Sequence, residues 1–415
     1  MKIGMLTQQP VALRRPPFDG PASHLRHVVR ALRDQGHQLR VLAVLDGSLW
    51  RTDDLVQFIP VEVRGMDRGP LRWTERAVRR VQFELRLPYA ALFESVRFAL
   101  ACRQELAGCD LLYERMSWVS YGGALASRWL HKPLVLENNG DHLADLAAKG
   151  IAPQGAQRRL SLACMTWAVR QAAYVVTTGE GWRDQFLQRY PDAAPAERVS
   201  TVENGTDLVS LLHRQQLRHF QAQPAAALDR LVTVAYVGGF LPWQGVTPLI
   251  RATGRARQQG AAVRLLLIGA GPGLANAADL VMDLDLETHV LFGGPMAAEE
   301  FAPLLAQADL GASPYCGWPE FSGLKILDYK AAGLPTLASG DIEAGRPATV
   351  QHGKTGWIVP PCDEDALTAA IVLLAADPEL RRRMGQAARL EAEAQHGWDY
   401  TARQLEQIFE QVLTS

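Results

Sequence analysis

"LGASPYCGWPEFSGLKILDYKAAGLPTLAS", residues 310–339, reads as strand, loop, helix and strand. The apolar run 310–315 ends in a loop containing Pro and Gly, helical spacing holds over 323–333, and 335–339 is again a short apolar run. Two parallel strands joined through a helix make the βαβ unit of α/β proteins. Inside it, Glu320 stands on the loop and Asp328 in the early turns of the helix, with Ser322, Gly323 and Lys325 between them. The backbone N–H groups of Phe321, Ser322, Gly323 and Leu324 have no intrahelical partner, and the helix dipole places positive potential behind them. That is an anion site. Carboxylates repel phosphate, so Glu320 and Asp328 suit hydroxyls on either side of one, the layout of a sugar nucleotide. The plainer alternative is that two acids near a helix start only answer its dipole.

Apolar β-branched runs alternate with helical patterns on both sides of this unit. Strands are predicted at 2–7, 39–45, 110–116, 133–139, 174–179 and 199–204, with helices at 22–35, 73–106, 155–172 and 180–190. The pattern lapses over 208–229 and resumes with strands at 232–239, 263–271, 290–294, 310–315, 335–339 and 356–361. Helices are expected at 246–259, 274–284, 297–307, 364–375 and 378–396. The spacing gives two doubly wound, Rossmann-like domains, 1–207 and 208–398, facing each other across a cleft. A final helix near 399–413, with Tyr400, Leu405, Ile408, Phe409 and Val412 at helical spacing, needs a partner and is assigned to the first domain.

Composition narrows the class. A net charge of −1 with 21% charged residues calls for no nucleic acid. Five scattered cysteines without C-x-x-C argue against a disulfide frame or zinc site and fit a reducing, cytoplasmic setting. No apolar stretch reaches the length of a membrane span. Residues 64–103 differ locally, with nine Arg against four acids and interleaved Trp73, Phe83, Tyr89, Phe93 and Phe98. They read either as a helical hairpin with a solvated Arg face or as a peripheral contact for an anionic membrane or acceptor.

Other motifs cluster at strand carboxyl ends. "YVGGFLPWQG" (236–245) runs a strand through Gly238-Gly239 and past Gln244 into a helix. "GAGPG" (269–273) misses G-x-G-x-x-G spacing and reads mainly as a tight turn, and Gly294 closes strand 290–294. "VENGTD" (202–207) is a hinge candidate at the domain junction. "DLD" (283–285) reads as a solvated helix end rather than a metal pair, so no metal is assigned. In the first half, Gly20 lies before a helix, and Glu137, Asn138, Asn139, Asp141 and His142 crowd one strand end beyond the needs of a turn.

With these residues in view, the chain resembles the retaining family-four glycosyltransferases of the GT-B fold. "PEFSGLKILDYKAAGLPTLAS" is similar to the family's E-x7-E segment, and "HGKTGWIVPPCDEDALTAAIVLLAADPELRRRMGQAAR" to the tail that follows it. The resemblance implies that Glu320 binds the donor sugar's hydroxyls, Asp328 the ribose, and the amides of 321–324 the diphosphate of a UDP-, GDP- or ADP-sugar, with no cofactor or metal. It also implies an acceptor site in the first domain, with Gly20 near the phosphates and Glu137, Asn139 or His142 near the reacting sugar. The chain departs from the pattern in carrying Asp for the second Glu, and Gly239 and Gln244 where many members carry Arg and Lys. Lys325, inside the motif, is the candidate replacement cation. The alternatives are a sugar-nucleotide-binding scaffold with weakened catalysis and a GT-B sugar-nucleotide 2-epimerase.

Overall fold

The structure, a computed structural model, describes residues 1–9, 11–14, 20–67, 70–85, 87–148, 150–208, 212, 231–317 and 323–414, and every structural statement below concerns these. Glu320, Phe321 and Ser322 lie outside the described residues. The chain divides into two α/β units, residues 1–203 with 401–415, and residues 204–400.

The first unit is built on a sheet of order β4-β3-β2-β1-β5-β6-β7-β8. Its parallel members are β1 (Lys2–Thr7), β2 (Gln38–Leu45), β5 (Leu111–Arg115), β6 (Leu134–Asn138), β7 (Tyr174–Thr177) and β8 (Val199–Thr201). These strands are apolar on both faces because helices cover both. The edge pair β3 (Ser48–Thr52) and β4 (Ile59–Pro60) is antiparallel and does not follow from the βαβ reading. Its signal is "LDGS": Asp46 and Gly47 both take positive φ, 51° and 73°, so Leu45 pairs with Ser48 across a two-residue hairpin.

The helices of this unit are α1 (Gly20–Asp34), α2 (Pro70–Glu84), α3 (Leu92–Glu105), α4 (Gly122–Leu130), α5 (His142–Ala148), α6 (Gly155–Gln171) and α7 (Glu180–Arg189). The single helix expected over 73–106 is two, α2 and α3, with Pro88 between them; proline withholds the N–H that an uninterrupted helix would use.

In the second unit six parallel strands take the order β11-β10-β9-β12-β13-β14. They are β9 (Val232–Val237), β10 (Val263–Ile268), β11 (Val290–Gly294), β12 (Leu310–Ser313), β13 (Thr336–Ser339) and β14 (Gly356–Val359). Strand order runs outward from β9 to β11, then restarts at β12 on the other side of β9. The β9/β12 pair is therefore the switch point, where ligands of such sheets bind outside the carboxyl ends. The helices are α8 (Val246–Gln258), α9 (Leu274–Asp283), α10 (Ala298–Leu305), α11 (Leu324–Ala331), α12 (Glu364–Ala376) and α13 (Pro378–Gln395).

The last helix, α14 (Trp398–Thr414), is shared: from Thr401 onward it belongs to the first unit. There Phe409 is fully buried, its ring edge-on to Tyr113 at 5.3 Å, and Glu406 pairs with His37 at 3.1 Å. Residues 204–207 fall with the second unit, not the first, because Thr206 bridges Gly397 and bonds to Asp328. Phe409→Ala removes a buried ring, so it is expected to destabilise the first unit by about 3–5 kcal/mol in urea unfolding; an unchanged midpoint and slope would show that α14 contributes no packing there.

Candidate functional site

At the switch point, β9 leaves the sheet through Gly238 and Gly239, whose course is set by neighbours rather than by flexibility. A Cβ on Gly269 would overlap the Gly238 carbonyl, and one on Gly271 would reach the Phe240 backbone. The "GAGPG" turn thus packs backbone to backbone against the strand end. Gly269 N–H donates to the Gly294 carbonyl at 2.8 Å, which places Gly294 at the same end of the sheet. The chain then makes one 3-10 turn at Pro242–Gln244 and enters α8 through Gly245, left-handed at φ 73° and with no room for a side chain against Pro314.

Helix α11 starts at Leu324 behind Gly323, left-handed at φ 45°. Tyr329 stitches the helix to both switch-point strands: its hydroxyl donates to the Ala312 carbonyl at 3.0 Å and accepts from Val237 N–H at 2.9 Å. Gly311 exists for this ring, since a Cβ there would overlap it. So anchored, Lys325 is carried to the strand ends, only 8% exposed. Its ammonium donates to Gln244 Oε1 and lies 4.7 Å from the Tyr236 ring and 4.6 Å from the Tyr315 ring. A Cβ on Gly238 would lie 3.2 Å from that ammonium. Tyr236 donates to the Gly239 carbonyl at 2.6 Å and approaches Gln244 Oε1 at 3.1 Å. Gly238, Gly239, Gln244, Gly323, Leu324 and Lys325 therefore meet in one place. In the sequence Tyr236 and Tyr315 carry no signal beyond their places in the strand runs 232–239 and 310–315.

Asp328 follows Lys325 by one helical turn and is half-buried. It accepts from the Thr206 hydroxyl at 2.6 Å. Burial pushes its carboxyl up, the Thr206 bond opposes this, and the Asp207 charge adds to it, leaving it at about 7. Thr206 N–H donates to the His396 carbonyl at 2.8 Å, and Gly205 packs on Trp398 with no space for a Cβ. The "VENGTD" turn is thus the segment that supplies the partner of Asp328.

In the first unit, Glu137 is buried at the carboxyl end of β6 and is surrounded. Tyr113 O–H and Asn139 N–H donate to it, and His24 Nε2 pairs with it at 2.8 Å. Its chemistry in this arrangement is to orient Asn139 and His24, the latter a residue of α1 that no sequence motif marked. The His142 ring is buried, and burial, Arg115 and Arg189 outweigh Asp141 to bring it down to about 4, so it is neutral at neutral pH. Asn139 Oδ1 and His142 Nε2 are buried without hydrogen-bond partners among the described residues. Gly20 is the first residue of α1, and a Cβ there would meet nothing.

Contrary to the expectation from cysteine spacing, the chain carries a disulfide. Cys316 and Cys362 form a disulfide across 46 residues with Cα atoms 4.8 Å apart. They occupy the loops after β12 and β14, which flank β13 in the sheet, so topology joins what no local spacing could reveal. Among the described residues no group of three His, Cys, Asp or Glu is placed to hold a metal, and no helix is long and apolar enough to cross a membrane.

The family described as Glycosyltransferase Family 4 matches residues 18–210, and that described as Glycosyl transferases group 1 matches residues 220–391. A GDP-mannose-dependent alpha-(1-6)-phosphatidylinositol monomannoside mannosyltransferase of Mycobacterium tuberculosis is 33% identical over 199 residues, 45% of this chain and 51% of the relative. A D-inositol 3-phosphate glycosyltransferase of Corynebacterium kroppenstedtii is 28% identical over 274 residues, 64% of this chain and 58% of the relative. The chain spans about half the length of the curated relatives it matches. Among solved structures, Anabaena HepE in complex with UDP superposes with a TM-score of 0.69 at 20% identity over 99% of this chain and 100% of that one. Sucrose-phosphate synthase from Thermosynechococcus elongatus gives 0.69 at 22% identity over 100% and 99%. These likenesses establish the fold: two parallel-sheet α/β domains of the GT-B type.

Because Gly245 is left-handed and abuts Pro314, Gly245→Ala is expected to cost at least about 1–3 kcal/mol of unfolding free energy. Gly20→Ala, facing open space, should leave the same urea transition in place. Equal effects of the two substitutions would mean that the entry to α8 is not packed as described.

Proposed function

The chain belongs to the family 4, group 1 glycosyltransferases, and on that premise we propose that it moves a hexose-type sugar from a nucleoside-diphosphate sugar to an acceptor hydroxyl, with retention and without a metal ion. The observation that carries this reading is the Lys325 ammonium held between Gly238 and Gln244 at the switch point, one turn from Asp328. A diphosphate at the start of α11 would meet Lys325 and the helix dipole, both positive. Asp328 is then assigned to a ribose hydroxyl. Glu320, by the motif, takes the donor sugar. In the reaction the bond from the anomeric carbon to the β-phosphate oxygen breaks, the acceptor oxygen bonds on the same face, and the acceptor's proton leaves with the diphosphate. Lys325 stabilises the charge that grows on that leaving group. Gly20, Asn139 and His142 are assigned to the acceptor side, with Glu137 positioning Asn139 and His24.

A panel of UDP-, GDP- and ADP-sugars tests this, with GDP-mannose first because a matched relative is named for it. Lys325→Ala is expected to lower kcat by about 100- to 1,000-fold, the scale of losing about 2.7–4 kcal/mol of transition-state stabilisation. Activity should survive EDTA; activity abolished by EDTA and restored by magnesium, with Lys325→Ala still active, would overturn the leaving-group assignment. Gln244 is neutral, which favours a second reading as a nucleotide-sugar-binding protein of weakened catalysis. Nucleotide binding without turnover on any donor would decide for it.

Asp328 adds a pH signature. Its raised carboxyl is protonated below about 7 and accepts hydroxyl donors best when ionised. Affinity for the free nucleoside diphosphate should therefore rise as pH climbs through about 7, and Asp328→Asn should weaken binding and flatten the profile. Calorimetry showing the same pH slope in both proteins would remove Asp328 from the ribose site.

A further inference from the structure

The Cys316–Cys362 disulfide lies at the ligand end of the second sheet. Cys316 follows β12 and Cys362 follows β14, so both stand at strand carboxyl ends, as the Lys325 site does. The strands are already joined without it, because β13 pairs with β12 on one side and with β14 on the other. What the bond restrains is the pair of loops. Cys362 belongs to the anchored one. It precedes Asp363, whose carboxylate caps α12 by accepting from Ala366 N–H at 2.8 Å. The first turn of α12 is held to α8 by Arg251 with Glu364 at 3.2 Å and by Arg255 with Asp365 at 2.7 Å. Cys316 belongs to the loop beside Lys325. Tyr315, the residue before it, supplies one of the two rings next to the Lys325 ammonium. Cys316 N–H donates at 2.9 Å to the carbonyl of Trp243, whose neighbour Gln244 accepts from that ammonium. Cys362 is exposed and takes φ 61°, a region that a residue with a Cβ keeps only where its surroundings fix it. The bond to Cys316 is one such constraint.

We propose that Cys316–Cys362 is a thiol–disulfide exchange site: a dithiol reductant opens it, Tyr315 and the Lys325 ammonium lose their restraint, and the hold on a nucleoside diphosphate weakens. The last step rests on the reading of Lys325 given above; the first two do not. A thiolate of the dithiol attacks Cys362 Sγ, the exposed sulfur, and the bond to Cys316 breaks. Cys316 leaves as a thiolate and takes up a proton. The second thiol of the reductant then attacks the mixed disulfide and releases Cys362. Two electrons and two protons pass to the protein, and the dithiol becomes its own disulfide. Cys362 leaves well as a thiolate because it stands just before the N-terminus of α12, where the helix dipole favours negative charge.

The test compares the full chain in its disulfide form with the same chain held in dithiothreitol. Alkylation and mass measurement should show the free thiols rise from the three of Cys102, Cys109 and Cys164 to all five. Amide hydrogen exchange at residues 315–317 and 243–245 should quicken on reduction. Calorimetric affinity for UDP or GDP, whichever binds, should fall by about 5- to 150-fold, the usual range of coupling between two sites. Cys316→Ser with Cys362→Ser should match the reduced chain and ignore dithiothreitol, which takes the other three thiols out of the comparison. Should that pair fail to fold by circular dichroism, Cys362→Ser alone, at an exposed position, replaces it. The proposal is overturned by a bond that dithiothreitol leaves closed in the folded chain. It is overturned equally by exchange that reduction does not alter, by one nucleotide affinity in both thiol states, or by a double variant that still responds to dithiothreitol. Exchange is read without nucleotide or turnover. Quickened exchange in a chain that binds neither nucleotide would therefore uphold the exchange site and count against the donor reading alone.

Discussion

A lysine side chain brought almost out of water at the first turn of a helix is the constraint on which the second unit is arranged. Burial disfavours the ammonium, and the positive end of the α11 dipole disfavours it again. The surroundings offset this with one amide oxygen and two aromatic faces, Gln244, Tyr236 and Tyr315. Those groups hold the ammonium at the strand ends. On the proposed reading, an anion arriving there would be stabilised without rearrangement.

The glycines around that cation are consequences of the same arrangement. Gly238, Gly269 and Gly271 let two loops lie backbone against backbone, and Gly245 lets α8 begin beneath Pro314. Gly311 clears room for Tyr329, whose hydroxyl ties α11 to β9 and β12 at once. Three connections that are distant in sequence are thereby fixed within reach of one ammonium.

The strand and helix periods made the two parallel sheets legible, and the "YVGGFLPWQG" and "SGLKILD" stretches marked the elements that meet at Lys325. Side-chain partners were not legible. Nothing in "VENGTD" announces that Thr206 bonds Asp328 across 122 positions, and nothing in α1 marks His24 as the partner of Glu137. The failures share a cause. Hydrophobic period reports which face of an element is covered, and turn residues report where it ends, but neither reports which distant loop covers it. The disulfide follows the same rule, since Cys316 and Cys362 are neighbours only through sheet order. Helix α2 departs in another way: its buried side chain is the acid Glu75, which accepts from Arg97 of α3, while Trp73 and Val81 are exposed.

The far side of α11 shows why its near side can be so exactingly placed. Lys330 is fully buried and donates to Glu391 at 2.6 Å and to the Thr349 carbonyl at 2.8 Å, with His396 Nε2 at 3.3 Å. Burial alone would raise the Glu391 carboxyl, but hydrogen bonds from His396 and Lys330 and their charges bring it down to about 2. A buried pair of this kind adds little net stability against an apolar equivalent, yet breaking it leaves a charge stranded, so it resists alternative packings. The His396 carbonyl in turn holds Thr206, and Thr206 holds Asp328. One turn of helix is thus gripped through Lys330 on its covered side and Tyr329 on its strand side. Lys325 and Asp328 project from that turn, and their spacing is set by a closed chain of bonds rather than by their own side-chain freedom.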